Sequence, residues 1–283
     1  MSAPQNIIAI IFDFDDTLTD DSTTQLLTQH GIDAKAFWRE CGEMASAGWD
    51  PTLAYTKRLL DHVGPGKPLG ALSNAGLREF GAKLRFYPGI PQVFKELQRF
   101  AREHALTNPA VEYYVISGGL EEVIRGSGIA PYFSGICGCR FAEENGVIRY
   151  LQNAVSFTDK TRYVFEINKG LGVPCRERPY AVNEHVPDDE RRIPLRNMIY
   201  IGDGLTDVPC FSLIRKNGGH AFGVFEPRRE GSPKKAWEKL AAPQRVTTLN
   251  APRFRKTDEL GAILRATVQS LLVQLDSRTK QTL

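Results

Sequence analysis

Hydrophobic and polar positions along the chain follow two rhythms. Apolar, β-branched or aromatic runs occur at residues 7–12, 111–116, 198–201 and 220–225. Runs of this length and type predict strands, and the isoleucine-rich first run reads as one buried on both faces of a parallel sheet. Between them, apolar residues recur at helical spacing. Leu26, Leu27, Phe37, Trp38, Met44, Leu53, Leu59 and Leu60 predict helices over 23–30, 34–46 and 51–62. Pro91 opens a further helix carrying Val93, Phe94, Leu97 and Phe100, and Tyr163, Val164 and Ile167 mark another. Residues 208–215 read as helix, and Asn145-Gly146 between alternating runs predicts a hairpin within 136–150. Leu260, Ile263, Leu264, Val268, Leu271, Leu272 and Leu275 give an amphipathic helix over 257–275. Its stripe is expected to pack on the core, with a homodimer contact as the alternative. Strands alternating with helices make this an α/β pattern.

The polar residues of interest sit where the apolar runs stop. The first run ends in Asp13, Asp15 and Asp16. Clustered carboxylates repel one another and call for a counter-charge, most simply a divalent cation. The second ends in Ser117-Gly118-Gly119, a hydroxyl followed by glycines that let backbone N–H groups approach an anion. The helical-looking 120–125 follows, and its N-terminus adds a favourable dipole for phosphate. The third ends in Gly202-Asp203-Gly204, with Asp207 four residues past Asp203. All three ends lie where open α/β sheets place their ligands. Two lysines compete to complete the set. Lys160 follows the candidate caps Thr158 and Asp159, so it sits in a first helical turn, against the dipole. Lys169 sits near the helix C-terminus before Gly170, where a cation is favourable. Lys160 is therefore the candidate that needs an anion, with Lys169 as the rival.

Asp13-Phe14-Asp15-Asp16-Thr17 resembles the DxDx[TV] signature of the haloacid dehalogenase (HAD) superfamily, and Gly202-Asp203-Gly204 with Asp207 resembles its GDGxxD signature. Ser117 and Lys160 match its second and third motifs, in family order, from Asp13 to Asp207. The resemblance implies a Rossmann-like parallel-sheet core over residues 1–19 and 87–283. It also implies a small helical cap of the C1 type over 20–86, as in the phosphoserine phosphatase-like branch. It further implies a magnesium-dependent phosphatase acting on a small phosphate monoester through an aspartyl-phosphate. Asp13 is then the nucleophile and Asp15 the general acid and base, positioned by Thr17. Ser117, Gly118 and Lys160 bind the phosphate, and Asp13, Asp15, Asp203 and Asp207 serve Mg2+. Family members read the amino acid of phosphoserine with a glutamate shortly after the first motif, where this chain has Asp20, Asp21 and Ser22. A phosphotransferase, and a non-catalytic phosphate-binding regulatory protein, are the alternatives.

Composition narrows the picture further. A net charge of +3 over 283 residues does not call for nucleic acid. The clusters Arg228-Arg229 and Lys234-Lys235, interleaved with Glu226, Glu230 and Glu238, read as a solvated face. The five cysteines include one CxC pair and no zinc pattern, and their odd number predicts reduced thiols and a cytoplasmic setting. No apolar run approaches a membrane span. The partner that the resemblance implies is a small phosphorylated metabolite. Residues 175–196 form a long, proline-punctuated connection, read as a surface loop with an active-site flap as the alternative.

Overall fold

The computed structural model describes residues 5–106 and 109–282. Its strands are β1 (Ile7–Phe12), β2 (Ala110–Leu120), β3 (Phe133–Glu144), β4 (Val147–Asn153), β5 (Met198–Gly202), β6 (His220–Val224) and β7 (Thr248–Asn250). They form one sheet in the order β4-β3-β2-β1-β5-β6-β7. Every neighbouring pair is parallel except β3 and β4, which form the predicted hairpin. Its turn places Asn145 and Gly146 at φ 52° and 75°, as an Asn-Gly hairpin turn requires. The helices are α1 (Ser22–Gln29), α2 (Ala34–Ser46), α3 (Pro51–Asp61), α4 (Asn74–Gly81), α5 (Gln92–His104), α6 (Glu121–Gly126), α7 (Asp159–Lys169), α8 (Val208–Lys216), α9 (Ser232–Ala236) and α10 (Glu259–Thr282).

β1 lies between β2 and β5, so strand order reverses there. The carboxyl ends of β1, β2 and β5 therefore share one crevice. β1 is almost wholly sealed: Ile8 through Phe12 have no exposed surface. Phe12 packs against Phe94, Tyr113, Phe133 and Phe254. Burying each such ring stabilises the fold by about 1.5–3 kcal/mol relative to leaving it exposed. The stripe of α10 is buried on the core side, and the helix packs on α5.

Four helices, α1 to α4, fall between β1 and α5, and the sequence reading anticipated three. Asp21, Asp33 and Asp50 start the first three, each carboxylate accepting backbone N–H bonds from the first turn. α4 packs against α6. β7 and α9 were not anticipated either; both are short. Neither Thr158 nor Asp159 caps α7 through its side chain; Asp159 accepts from Ser156 N and Oγ instead. The five cysteines are free thiols, and no described helix is long and apolar enough to cross a membrane.

Candidate active site

The crevice at the carboxyl ends of β1, β2 and β5 opens into a cleft of about 190 Å³. Its floor holds Asp13, Asp15, Ser117, Gly118, Gly119 and Asp203, and its outer wall holds Asp21, Thr23, Trp38 and Tyr55. Lys160 and Asp207 lie beneath the floor, 1% and 0% exposed.

β1 stops at Phe12, and Asp13 N donates to Ile201 O at 2.8 Å, extending the ladder by one residue. Asp13 is buried. Its Oδ1 accepts from Phe14 N at 2.8 Å, and its Oδ2 faces Lys160 Nζ at 3.2 Å. Burial pushes the Asp13 carboxyl up to about 6, against the pull of Lys160. The chain then turns. Asp15 lines the same cleft as Asp13, and its Oδ1 accepts from Ser22 N at 2.7 Å. Burial, reinforced by Asp21, holds the Asp15 carboxyl well above the usual carboxylate range. Thr17 does not hold Asp15, as the sequence suggested. It is buried and its Oγ1 has no hydrogen-bond partner among the described residues.

Ser117 Oγ accepts from Gly119 N at 2.9 Å, so that N–H is committed inside the loop and not offered to a ligand. Gly119 has a second reason to be glycine: a Cβ there would collide with Asp15 Oδ2. Gly118 O accepts from the Tyr55 hydroxyl at 2.6 Å, joining α3 to this loop. The first turn of α6 already carries two buried acids, Glu121 and Glu122. Glu121 pairs with Arg125 and Arg176, and Glu122 with Arg78. The helix dipole expected to favour phosphate is therefore already engaged by the chain's own anions.

The two lysines separate cleanly. Lys160 Nζ donates to Asp207 Oδ1 at 2.7 Å. Burial pulls its pKa down, but Asp13 and Asp207 outweigh that and raise it, so the ammonium stays charged inside the protein. Lys169 Nζ donates to Val182 O at 2.7 Å and Glu184 O at 2.5 Å, tying down the 175–196 connection away from the cleft. Asp207 also accepts from the Tyr200 hydroxyl at 2.9 Å and from Gly204 N at 3.2 Å. Gly202 makes this arrangement fit, because a Cβ there would collide with the Asp207 carboxylate.

Carboxylate oxygens of Asp13, Asp203 and Asp207 lie within 4.8 Å of one another. Burial, with Asp13 and Asp207 adding to it, holds the Asp203 carboxyl well above its usual range. Three converging carboxylates with one ammonium between them fit a hard divalent cation. Sequence reasoning missed Arg229. Its guanidinium grips Asp16 through two hydrogen bonds of 2.5 and 2.7 Å, so this part of the basic cluster is not a simple solvated face. No local signal marked it, because 213 residues separate the partners. Arg39, Lys57 and Arg58 of α2 and α3 are paired with Glu43, Asp61 and Glu40 of the same two helices.

No family model matches the chain. An uncharacterized protein of Borreliella burgdorferi is 33% identical over 237 residues, covering 76% of this chain and 80% of that one. Among solved structures, a HAD family hydrolase of Salmonella enterica serovar Typhi superposes with TM-score 0.60 at 14% identity, covering 93% of this chain and 72% of that one. A substrate-bound phosphoserine phosphatase gives TM-score 0.54 at 13% identity, covering 92% and 97%. A phospho-aspartyl intermediate analogue of phosphoserine phosphatase gives 0.52 at 15%, covering 92% and 99%. The chain belongs to one family with the Borreliella burgdorferi protein, and its fold is that of the HAD superfamily, in the form taken by phosphoserine phosphatases.

Proposed function

We propose that the protein is a magnesium-dependent phosphatase that hydrolyses a small phosphate monoester through an aspartyl-phosphate on Asp13. The observation that carries this reading is the pairing of two carboxyls with different surroundings in one cleft. Asp13 faces the Lys160 ammonium at 3.2 Å. Asp15 pairs with no cation among the described residues and is held above the usual range by burial and by Asp21. Lys160 favours the ionised form of the first, and the low-dielectric, acidic surroundings favour the protonated form of the second. That is the division a nucleophile and a general acid require.

In this reading the Asp13 carboxylate attacks phosphorus, and Asp15 passes its proton to the departing alkoxide. Asp15 then takes a proton from the water that cleaves the aspartyl-phosphate. Lys160, the Ser117 hydroxyl and the Gly118 N–H share the charge on the phosphoryl oxygens. Asp207 and Tyr200 keep the Lys160 ammonium aimed at the floor. Asp13, Asp203 and the backbone carbonyl of Asp15 would be the direct oxygen donors for Mg2+, with Asp207 behind them. When bound, the ion neutralises charge on the nucleophile and on the transferred group. Residues 20–86 act as the cap, and residues 1–19 with 87–283 as the core. The cleft's volume suits a small metabolite, and hydrolysis in the cytoplasm is the setting this reading takes.

The test is phosphate release from a panel of small monoesters, with magnesium and with excess chelator, for the wild type and Asp13→Asn. The reading predicts release that needs the metal, returns when it is restored and vanishes in the variant. Release that persists in Asp13→Asn would remove the nucleophile assignment.

A further inference from the structure

Asp16 follows Asp15 directly and has φ 55°, a left-handed conformation that few residues with a side chain adopt. This residue turns the chain out of the β1 direction. Its carboxylate is held by both terminal nitrogens of Arg229. Arg229 comes from the connection between β6 and β7, on the far side of β5. Its own backbone is fixed in a turn: Arg229 N donates to Glu226 O, and Arg229 O accepts from Ser232 N.

The same guanidinium lies 3.7 Å from Asp20, in the segment that leads from β1 to α1. Asp20 Oδ1 accepts from the Tyr87 hydroxyl at 2.9 Å, and Tyr87 N donates to Leu18 O at 2.9 Å. Tyr87 belongs to the segment that returns from α4 to α5. Arg229 therefore ties the turn beside Asp15 to both chain crossings between the helices α1–α4 and the sheet. An ion pair this exposed, with the Arg229 side chain 47% accessible, stabilises a fold little. What a bidentate guanidinium–carboxylate pair supplies is orientation.

We propose that Arg229 is a positioning residue: by clamping Asp16, it holds Asp15 in line for proton transfer to the leaving group, without touching substrate. This rests on the reading of Asp15 as the general acid. A leaving group with a low pKa, such as p-nitrophenolate, needs little protonation. An alkoxide such as that of ethyl phosphate needs it fully.

The experiment compares kcat and KM on p-nitrophenyl phosphate and ethyl phosphate for the wild type, Arg229→Gln, Arg229→Lys, Asp16→Asn and the double variant Arg229→Gln/Asp16→Asn. Thermal midpoints are recorded to confirm that each variant folds. Arg229→Gln is expected to lower kcat on ethyl phosphate by about 10²-fold, the scale of misplacing a catalytic group, with KM little moved. On p-nitrophenyl phosphate the loss is expected to stay within about threefold, because acid catalysis contributes little there. Arg229→Lys should recover only part of the loss, since an ammonium lacks the fork. Asp16→Asn should match Arg229→Gln, and the double variant should be no worse than either. Equal losses on both esters, a change confined to KM, or additive losses in the double variant would overturn the clamp. If the wild type prefers another alkyl monoester of the panel, that ester replaces ethyl phosphate; release from no ester of the panel would instead remove the phosphatase reading on which the clamp rests.

Discussion

The floor and the outer wall of the cleft are built by opposite means. The floor is made of strand ends, and its charged groups are buried and mutually bonded: Asp13 with Lys160, and Lys160 with Asp207 and Tyr200. The wall is made of helices and is aromatic and partly open. Trp38 is 37% exposed, and its Nε1 donates to Thr24 Oγ1 at 2.8 Å; Tyr55 reaches across to Gly118 O. A buried charged network tolerates no loss of a member, because any orphaned charge stays desolvated. A half-open aromatic wall can change its residues at modest cost. In the proposed reading, chemistry is therefore fixed in the floor, and the choice of leaving group is left to the wall.

The sharpest way to break this contrast is at the two ends of α7. Lys160→Met should abolish turnover and destabilise the fold by about 3–5 kcal/mol, because Asp207 is left buried and unpaired. Lys169→Met should leave turnover within about threefold, since its loss affects only the 175–196 connection through about 1–3 kcal/mol of hydrogen bonding. Kinetics beside urea unfolding would separate the two, and an inactive Lys169→Met with an active Lys160→Met would invert the assignment.

A second test uses pH. Asp13 has its pKa raised to about 6 in the fold, so the folded state binds that proton more tightly than the unfolded chain. The stability it contributes is complete below the ordinary aspartate value and is lost as pH rises through about 6. Asp15 and Asp203 are raised in the same direction. Metal-free protein should therefore lose stability between about pH 4 and pH 7, by on the order of 3 kcal/mol from Asp13. Magnesium should restore it by binding the folded state. Urea midpoints across that range, with chelator and then with magnesium, check the sign; a midpoint that rises with pH in chelator would contradict the burial argument.

The smallest effect belongs to the wall. Tyr55→Phe removes one hydrogen bond to Gly118 O, worth about 1 kcal/mol. It should raise KM a few-fold while leaving kcat nearly intact, because no charged group is orphaned. A large fall in kcat would mean that the wall takes part in the chemistry.

The difference between floor and wall also explains what the sequence made legible. β1 reads directly because a run sealed on both faces leaves no polar residue before Asp13, and the site then announces itself as a sudden cluster of charge. Lys160 was legible because a cation at a helix N-terminus demands an anion, here Asp207 and Asp13. The bond from Ser22 N to the Asp15 carboxylate was not legible, because it forms only after the chain has turned at the left-handed Asp16. α4 was missed because two glycines in Asn74–Gly81 lower its intrinsic helicity, and packing on α6 supplies what propensity lacks. Arg229 was missed because a charge pair formed across the fold leaves no local pattern. The wall was only partly read: its helices followed from periodicity, but periodicity could not say that Trp38 and Tyr55 face the cleft while Trp49 does not line it.

The central claim is that Asp13 carries the phosphoryl group. It is tested most directly by mixing the protein with a turned-over ester and magnesium, quenching in acid within a turnover, and sequencing the digested peptides by mass spectrometry. The account predicts one phosphoryl group on the peptide that contains Asp13, absent in Asp13→Asn and enriched in Asp15→Asn when an ester with a good leaving group is used. Turnover with no phosphorylated Asp13, or with the label on another residue, would contradict it.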